Sequence, residues 1–379
     1  MSKVLTTHTG SLPRPRELIE LIAKRQKGEY DEETYWKVAK KAVKDIVKKQ
    51  ADIGLDIIND GEQPRPAYSF YITDRIEGFK PGVNPLKHLF EEAAKVQKID
   101  KSVTEALSSL PDLTCQGELR YTDEGKEELR RNIEAFKEAL EAVDREVKPF
   151  FTAVSPRTAE MFLPNGGYYE TSKEYVEALG RELRKEYLEI VKAGFILQLD
   201  CPDIPTGLRG IARALTREPE DFAEKTNTSI QVLNNAISGI QPEKLRVHAC
   251  WGNDVGSHVD DASLEDVLPY LYKINVKGLS FVGANPRHEW EWTTFKKHPL
   301  PNGKAIIPGV VCSLCTVIEH PRTIAQRAER YASAVGRDKV TLGSDCGFAT
   351  MYKQANFPEE AAWQKLEALV SGAKIFNQS

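Results

Sequence analysis

The chain has 379 residues, 41% of them apolar and 28% charged, a composition near the average of folded domains that excludes disorder, collagen and coiled coil as the main architecture. Its 52 Lys and Arg stand against 56 Asp and Glu for a formal net charge of −4, with no block of like charge to attract nucleic acid or a membrane surface. No apolar run approaches the roughly 18 residues of a membrane span, and residues 1–13 lack the charged start and apolar centre of a signal peptide. The expected partner is therefore a small molecule and the expected compartment the cytosol. Six cysteines, at 115, 201, 250, 312, 315 and 346, are too sparse for a disulfide scaffold and read as free thiols.

One layout recurs along the chain: a helical pattern closes on glycine and a short β-branched or apolar run begins at once. The first strand is expected over residues 4–7. Ala39, Ala42, Val43, Ile46 and Val47 then fall on one helical face, and Gly54 precedes a second strand over 55–59. Residues 63–148 hold helical stretches and an expected hairpin around 113–122, an insertion that covers part of the barrel mouth. A third strand follows over 149–154. Val176, Leu179, Leu183, Tyr187 and Ile190 form the next apolar face, and Gly194 precedes a strand over 195–200.

A fifth strand is expected over 245–250, and Ser263 with Asp266 reads as a capping box for the helix through Leu268 and Tyr272. Gly278 precedes a sixth strand over 279–282, a seventh covers 305–311, and Gly336 stands just ahead of an eighth over 339–344. Eight strands, most followed by a helix, predict an α/β fold: one (β/α)8 TIM barrel over residues 1–379, with a helical insertion over 63–148 after the second strand. A doubly wound open sheet is the structural alternative.

In such a barrel the chemistry belongs at the C-terminal strand ends. These ends carry His8, Gly10 and Ser11; Asp60 and Glu62; Ser155; Asp200 and Cys201; His248 and Cys250; Cys312 and Cys315; and Asp345 and Cys346. His248 and Cys250 are two residues apart, so strand alternation aims both at one point. With Cys346 they make a one-nitrogen, two-sulfur donor set suited to zinc; singly, each is more simply a small hydrophobe or a satisfied core histidine. Arg14 and Arg65 each lie in a Pro-Arg-Pro and are candidates to hold an anionic substrate, as are Arg157 and Arg287. Cys312 and Cys315 form an isolated C-x-x-C. Phosphate loops and a G-x-S-x-G elbow are absent, which excludes nucleotide kinases and α/β hydrolases.

The segments at 7–13 (THTGSLP), 59–62 (NDGE), 197–200 (LQLD), 248–253 (HACWGN), 284–292 (ANPRHEWEW), 309–311 with 319–321, and 344–348 (SDCGF) resemble the cobalamin-independent methionine synthase family. The likeness is nearest to its short single-barrel members, which include the epoxyalkane coenzyme M transferases. That resemblance implies zinc-bound thiol alkylation, in which the metal holds a substrate sulfur as a thiolate that attacks an alkyl donor, methyl-folate in the long synthases. It implies His248, Cys250 and Cys346 as metal ligands, Glu62 and Asp200 as the catalytic-site carboxylates that hold the amino group of homocysteine, and Gly10 with Ser11 as the loop that receives its carboxylate.

Two positions depart from the family pattern. The fourth ligand, a Glu, lines up with Val282, and the general-acid His lines up with Leu314. Three readings stay open: Cys312 replaces the missing ligand in a Cys3His site, three ligands suffice and the substrate thiolate completes the shell, or the site has drifted to other chemistry. The sequence thus points to a zinc enzyme transferring a methyl or other alkyl group to a small homocysteine-like thiol. Alkyl or epoxide addition to a thiol and a catalytically silent metal- or thiol-binding barrel are the alternatives.

Overall fold

The computed structural model describes residues 3–85, 87, 95, 101–207, 220–354 and 357–378; parts of the expected insertion at 86, 88–94 and 96–100 lie outside them. Eight strands form one all-parallel sheet: β1 (Leu5–Thr6), β2 (Ile57–Ile58), β5 (Lys148–Val154), β6 (Ile196–Asp200), β7 (Leu245–Ala249), β8 (Gly278–Phe281), β9 (Ala305–Val311) and β10 (Thr341–Ser344). From β2 onward each pairs with the next in this order, and β10 pairs with β1. The ring closes between β1 and β2 through Asp56, whose backbone N–H donates to the Thr6 carbonyl at 3.2 Å while its carboxylate accepts the Thr6 N–H at 3.0 Å. This is the expected (β/α)8 barrel rather than an open sheet.

The outer helices follow the apolar faces of the sequence. Helix Glu32–Ile53 is N-capped by the Asp31 carboxylate and buries Tyr35, Trp36, Val43 and Val47 among others, each large side chain contributing about 1.5–3 kcal/mol. The Ser263 hydroxyl accepts the Asp266 N–H at 3.2 Å and donates to its carboxylate at 2.7 Å, the expected capping box. Gly54, Gly194 and Gly336 take φ near +96° or +97°, the left-handed region that favours glycine at a helix end. Gly278 differs from expectation. It is the first residue of β8, and a Cβ there would sit 2.7 Å from the Arg246 Cβ, so it serves close strand packing.

The segment around 113–122 is not a local hairpin. It is β4 (Leu113–Tyr121), antiparallel to β3 (Ile76–Pro81). Register in a half-exposed pair is set by partners the local sequence does not reveal. This ribbon is pinned to the barrel through Glu186 of helix Ser172–Lys192, which pairs with Arg75 at 2.9 Å, both buried, and accepts the hydroxyls of Tyr71 and Tyr121. Helix Asp123–Glu141, capped by Thr122, packs on helix Glu32–Ile53 and leads into β5. No helix among the described residues is long and apolar enough to cross a membrane.

Candidate metal and substrate site at the barrel mouth

Strand register assembles the site. Val154, Asp200, His248 and Ser280 stand side by side in one row across β5 to β8, so Asp200 and His248 are neighbours and the His248 Nδ1 meets the Ser280 hydroxyl at 3.2 Å. Cys250 leaves β7 two residues later, and Cys346 arrives two residues past β10. The ligand atoms of His248, Cys250 and Cys346 lie within 4.8 Å of one another, all three residues buried, and the two sulfurs are 3.2 Å apart.

The donor chemistry at this point fits a soft cation. The His248 Nε2 is buried with no hydrogen-bond partner, which costs about 1–3 kcal/mol unless something fills the gap, while Nδ1 is oriented by Ser280 as a metal-binding imidazole requires. The Cys346 thiol hydrogen-bonded to Cys250 holds Cys250 well below the usual thiol range, and the same contact with burial drives Cys346 well above it. One thiolate is thus already favoured, and a divalent cation would neutralise two. One nitrogen and two sulfurs fit zinc with a position left open.

Cys312 does not join the cluster. It lies past β9, its sulfur accepts the Leu314 N–H at 3.4 Å, and its backbone N–H is held by Glu319 at 2.7 Å; the buried thiol is pushed far up, first by burial and then by Asp345. Val282, where the family pattern has a Glu, is buried and apolar. Cys201 is likewise buried, its thiol raised by desolvation.

Two carboxylates face the same space. Glu62 takes φ +55° directly after Gly61 at +66°, and successive left-handed residues turn the chain sharply beyond β2. Its Oε1 accepts the Thr152 hydroxyl at 2.9 Å and its Oε2 is buried without a partner. Burial raises its pKa, partly offset by Arg65 and Arg14. Asp200 accepts from the Gln198 amide at 2.9 Å and is pushed up to about 7, chiefly by burial and then by Glu62. Gly10 leaves room for this arrangement, since a Cβ there would lie 2.6 Å from Glu62 Oε1 and 2.9 Å from Thr152 Cγ2. Ser11 is buried beside the Cys346 loop, its carbonyl accepting the Phe348 N–H at 2.9 Å.

The arginines divide. Arg65 donates to Thr152 at 3.0 Å, lies over the rings of Tyr71 and Phe151 at 4.3 and 4.8 Å, and keeps Nε and Nη2 without hydrogen-bond partners. Arg14, by contrast, donates to the carbonyls of Gln63, Ala349 and Glu62 at 2.8–3.2 Å. Each of its three side-chain nitrogens donates to backbone, so it clamps the β2 and β10 loops. Arg157 pairs with Glu160, and Arg287 reaches the Val259 carbonyl.

Residues that the sequence did not single out complete the mouth. Tyr68 lies near Cys250, Cys346 and Asp200, whose negative charge adds to burial in raising its pKa; nothing in local sequence marks it. His258 and His288 both contact Asp261, at 2.7 and 3.0 Å, and His288 also meets Glu291 at 2.9 Å. The His288 ring packs against Trp251, centroids 4.9 Å apart, directly after Cys250. The HEWE motif hinted at this network only through its residue types.

Comparison with known proteins agrees with the fold. Residues 4–101 match the family model described as the catalytic domain of cobalamin-independent synthase. The methionine synthase of Saccharolobus islandicus is 23% identical over 376 residues, covering 98% of this chain and 95% of its own; that of Saccharolobus solfataricus is 24% identical over 378 residues, with the same coverage. Over nearly its whole length the chain is thus similar to cobalamin-independent methionine synthases. In fold, it is similar to a B12-independent methionine synthase from Shewanella sp. W3-18-1 solved with selenomethionine, with a TM-score of 0.72, 19% identity, and 100% and 98% of the two chains covered. A putative vitamin-B12-independent methionine synthase from Listeria monocytogenes gives a TM-score of 0.66 at 20% identity, with 99% of each chain covered.

Proposed function

We propose that this chain is a zinc-dependent thiol alkyltransferase that moves a methyl or other alkyl group to a small amino thiol of the homocysteine type. The observation that carries the reading is the buried His248, Cys250 and Cys346 cluster with its unpartnered imidazole nitrogen, set beside two buried carboxyl groups. His248, Cys250 and Cys346 would hold the ion. Zinc bound there would supply Lewis acidity that keeps a substrate sulfur as a thiolate at neutral pH.

The chain's own residues bind and orient. Glu62 and Asp200 are held with raised pKa values because their charges are buried together; an ammonium group between them would restore both to carboxylates and anchor the substrate by its amine. Arg65, with free donors beside Glu62, balances that charge, and the backbone at Gly10 and Ser11 would receive the substrate carboxylate. Val282 leaves the ion short of a fourth protein ligand, as a site that admits a substrate sulfur requires. Selenomethionine in the Shewanella protein is consistent with a methionine-like product. Methyl-folate is the alkyl donor we propose, although Leu314 puts no acid where the long synthases have one.

The test pairs methyl transfer to homocysteine with the same assay on coenzyme M, which has no amine, and with epoxide opening. Preference for homocysteine, lost in Asp200→Asn, supports the reading. Activity that survives Cys346→Ser would end it.

A further inference from the structure

The proposed reaction leaves the C-x-x-C at Cys312 and Cys315 unused. Cys312 is buried and Cys315 exposed, the asymmetry that thiol–disulfide exchange needs: one sulfur to meet the reagent and one kept from it. Beneath them lies Lys365 of helix Glu359–Gln378, fully buried. Its Nζ is 4.0 Å from the Cys315 sulfur, 2.6 Å from the Val317 carbonyl and 2.8 Å from Glu319 Oε2. The other Glu319 oxygen accepts the Cys312 N–H at 2.7 Å. One carboxylate therefore ties the ammonium to the backbone of the buried cysteine, and a cation beside a sulfur stabilises the negative charge that exchange builds there.

We infer that Cys312 and Cys315 form a thiol–disulfide exchange site for low-molecular-weight disulfides of the glutathione class. The Cys315 thiolate attacks one sulfur of the disulfide, forming a mixed disulfide and releasing a small thiolate that takes a proton from solvent. Cys312 then attacks the Cys315 sulfur and gives up its proton, and the second small thiol leaves. Two protein thiols are oxidised and one small disulfide is reduced to two thiols. Burial that keeps Cys312 out of reach of a soluble disulfide assigns it the second step.

The position of this pair couples it to the metal cluster. Ser313, between the two cysteines, donates to the Asn253 side chain at 3.3 Å, and Asn253 donates to the Gly347 carbonyl at 3.0 Å. Asn253 follows Cys250 by three residues and Gly347 adjoins Cys346, so closing the 312–315 ring draws on both ligand loops.

The experiment treats the full chain with oxidised glutathione and maps its cysteines by peptide mass. A 312–315 disulfide in the wild type, a lasting glutathione adduct on Cys315 in Cys312→Ser, and no oxidation of Cys312 in Cys315→Ser are expected. A 250–346 disulfide with 312 and 315 still reduced, or an unresolved adduct on wild-type Cys315, overturns the assignment. These results stand whether or not the cluster binds zinc. In metal-loaded samples, extraction by a chelator should run several-fold faster after oxidation in the wild type and be unchanged in Cys315→Ser; equal rates overturn the coupling.

Discussion

The sulfurs of Cys250 and Cys346 lie 3.2 Å apart, although 96 residues separate them and they leave strands three places apart in the ring. No local pattern can produce that approach; barrel closure does. With the unpartnered His248 Nε2 beside them, the pair defines the first prediction.

Protein purified without chelator should carry close to one zinc per chain. Cys346→Ser and His248→Ala should abolish or sharply weaken binding, and Cys312→Ser should keep it. Metal content by elemental analysis decides this, and loss of zinc with Cys312 would mean a Cys3His site.

Asp200 gives a pH prediction for the metal-free protein. Its carboxyl is raised from 3.8 to about 7, so the folded chain binds that proton more tightly than the unfolded one. Its contribution is therefore most favourable below about 4 and falls as pH rises toward 7, by roughly 4 kcal/mol at most. Asp200→Asn removes this loss. The variant should melt several degrees above the wild type at pH 8, and the gap should shrink by pH 5. Melting curves that run parallel across this range would contradict the assignment.

Gly10→Ala should disturb substrate binding through Glu62. The new Cβ meets Glu62 Oε1 and Thr152 Cγ2, so Glu62 must shift, with a stability cost of about 1–3 kcal/mol from overpacking. A raised KM for the amino thiol, with zinc content unchanged, is the expected kinetic result.

Arg14 and Arg65 should separate in kinetics. Arg14→Met removes hydrogen bonds to three carbonyls and should lower the melting temperature, each charged bond contributing about 1.5–3 kcal/mol, with the thiol KM little changed in the folded fraction. Arg65→Met should raise KM. Reversed effects would return Arg14 to the substrate.

The sequence by itself determined the barrel and the types of the candidate donors. Apolar runs behind glycine-capped helices are local features, because the left-handed turn at Gly54 or Gly194 needs nothing from the rest of the chain, and the spacing of His248 and Cys250 places both on one strand face. What tertiary structure alone decided is which donors meet and which polar groups are already satisfied. Arg14 looked free because backbone carbonyls from residues 62, 63 and 349 carry no side-chain signature. Cys312 looked adjacent because strand ends are near one another in any barrel, yet its sulfur lies with Leu314 and the Lys365 side. Tyr68 and Lys365 had no motif at all. Their importance comes from burial beside distant sulfurs, and burial is a property of the packed chain, fixed when helices and strands far apart in sequence exclude water together.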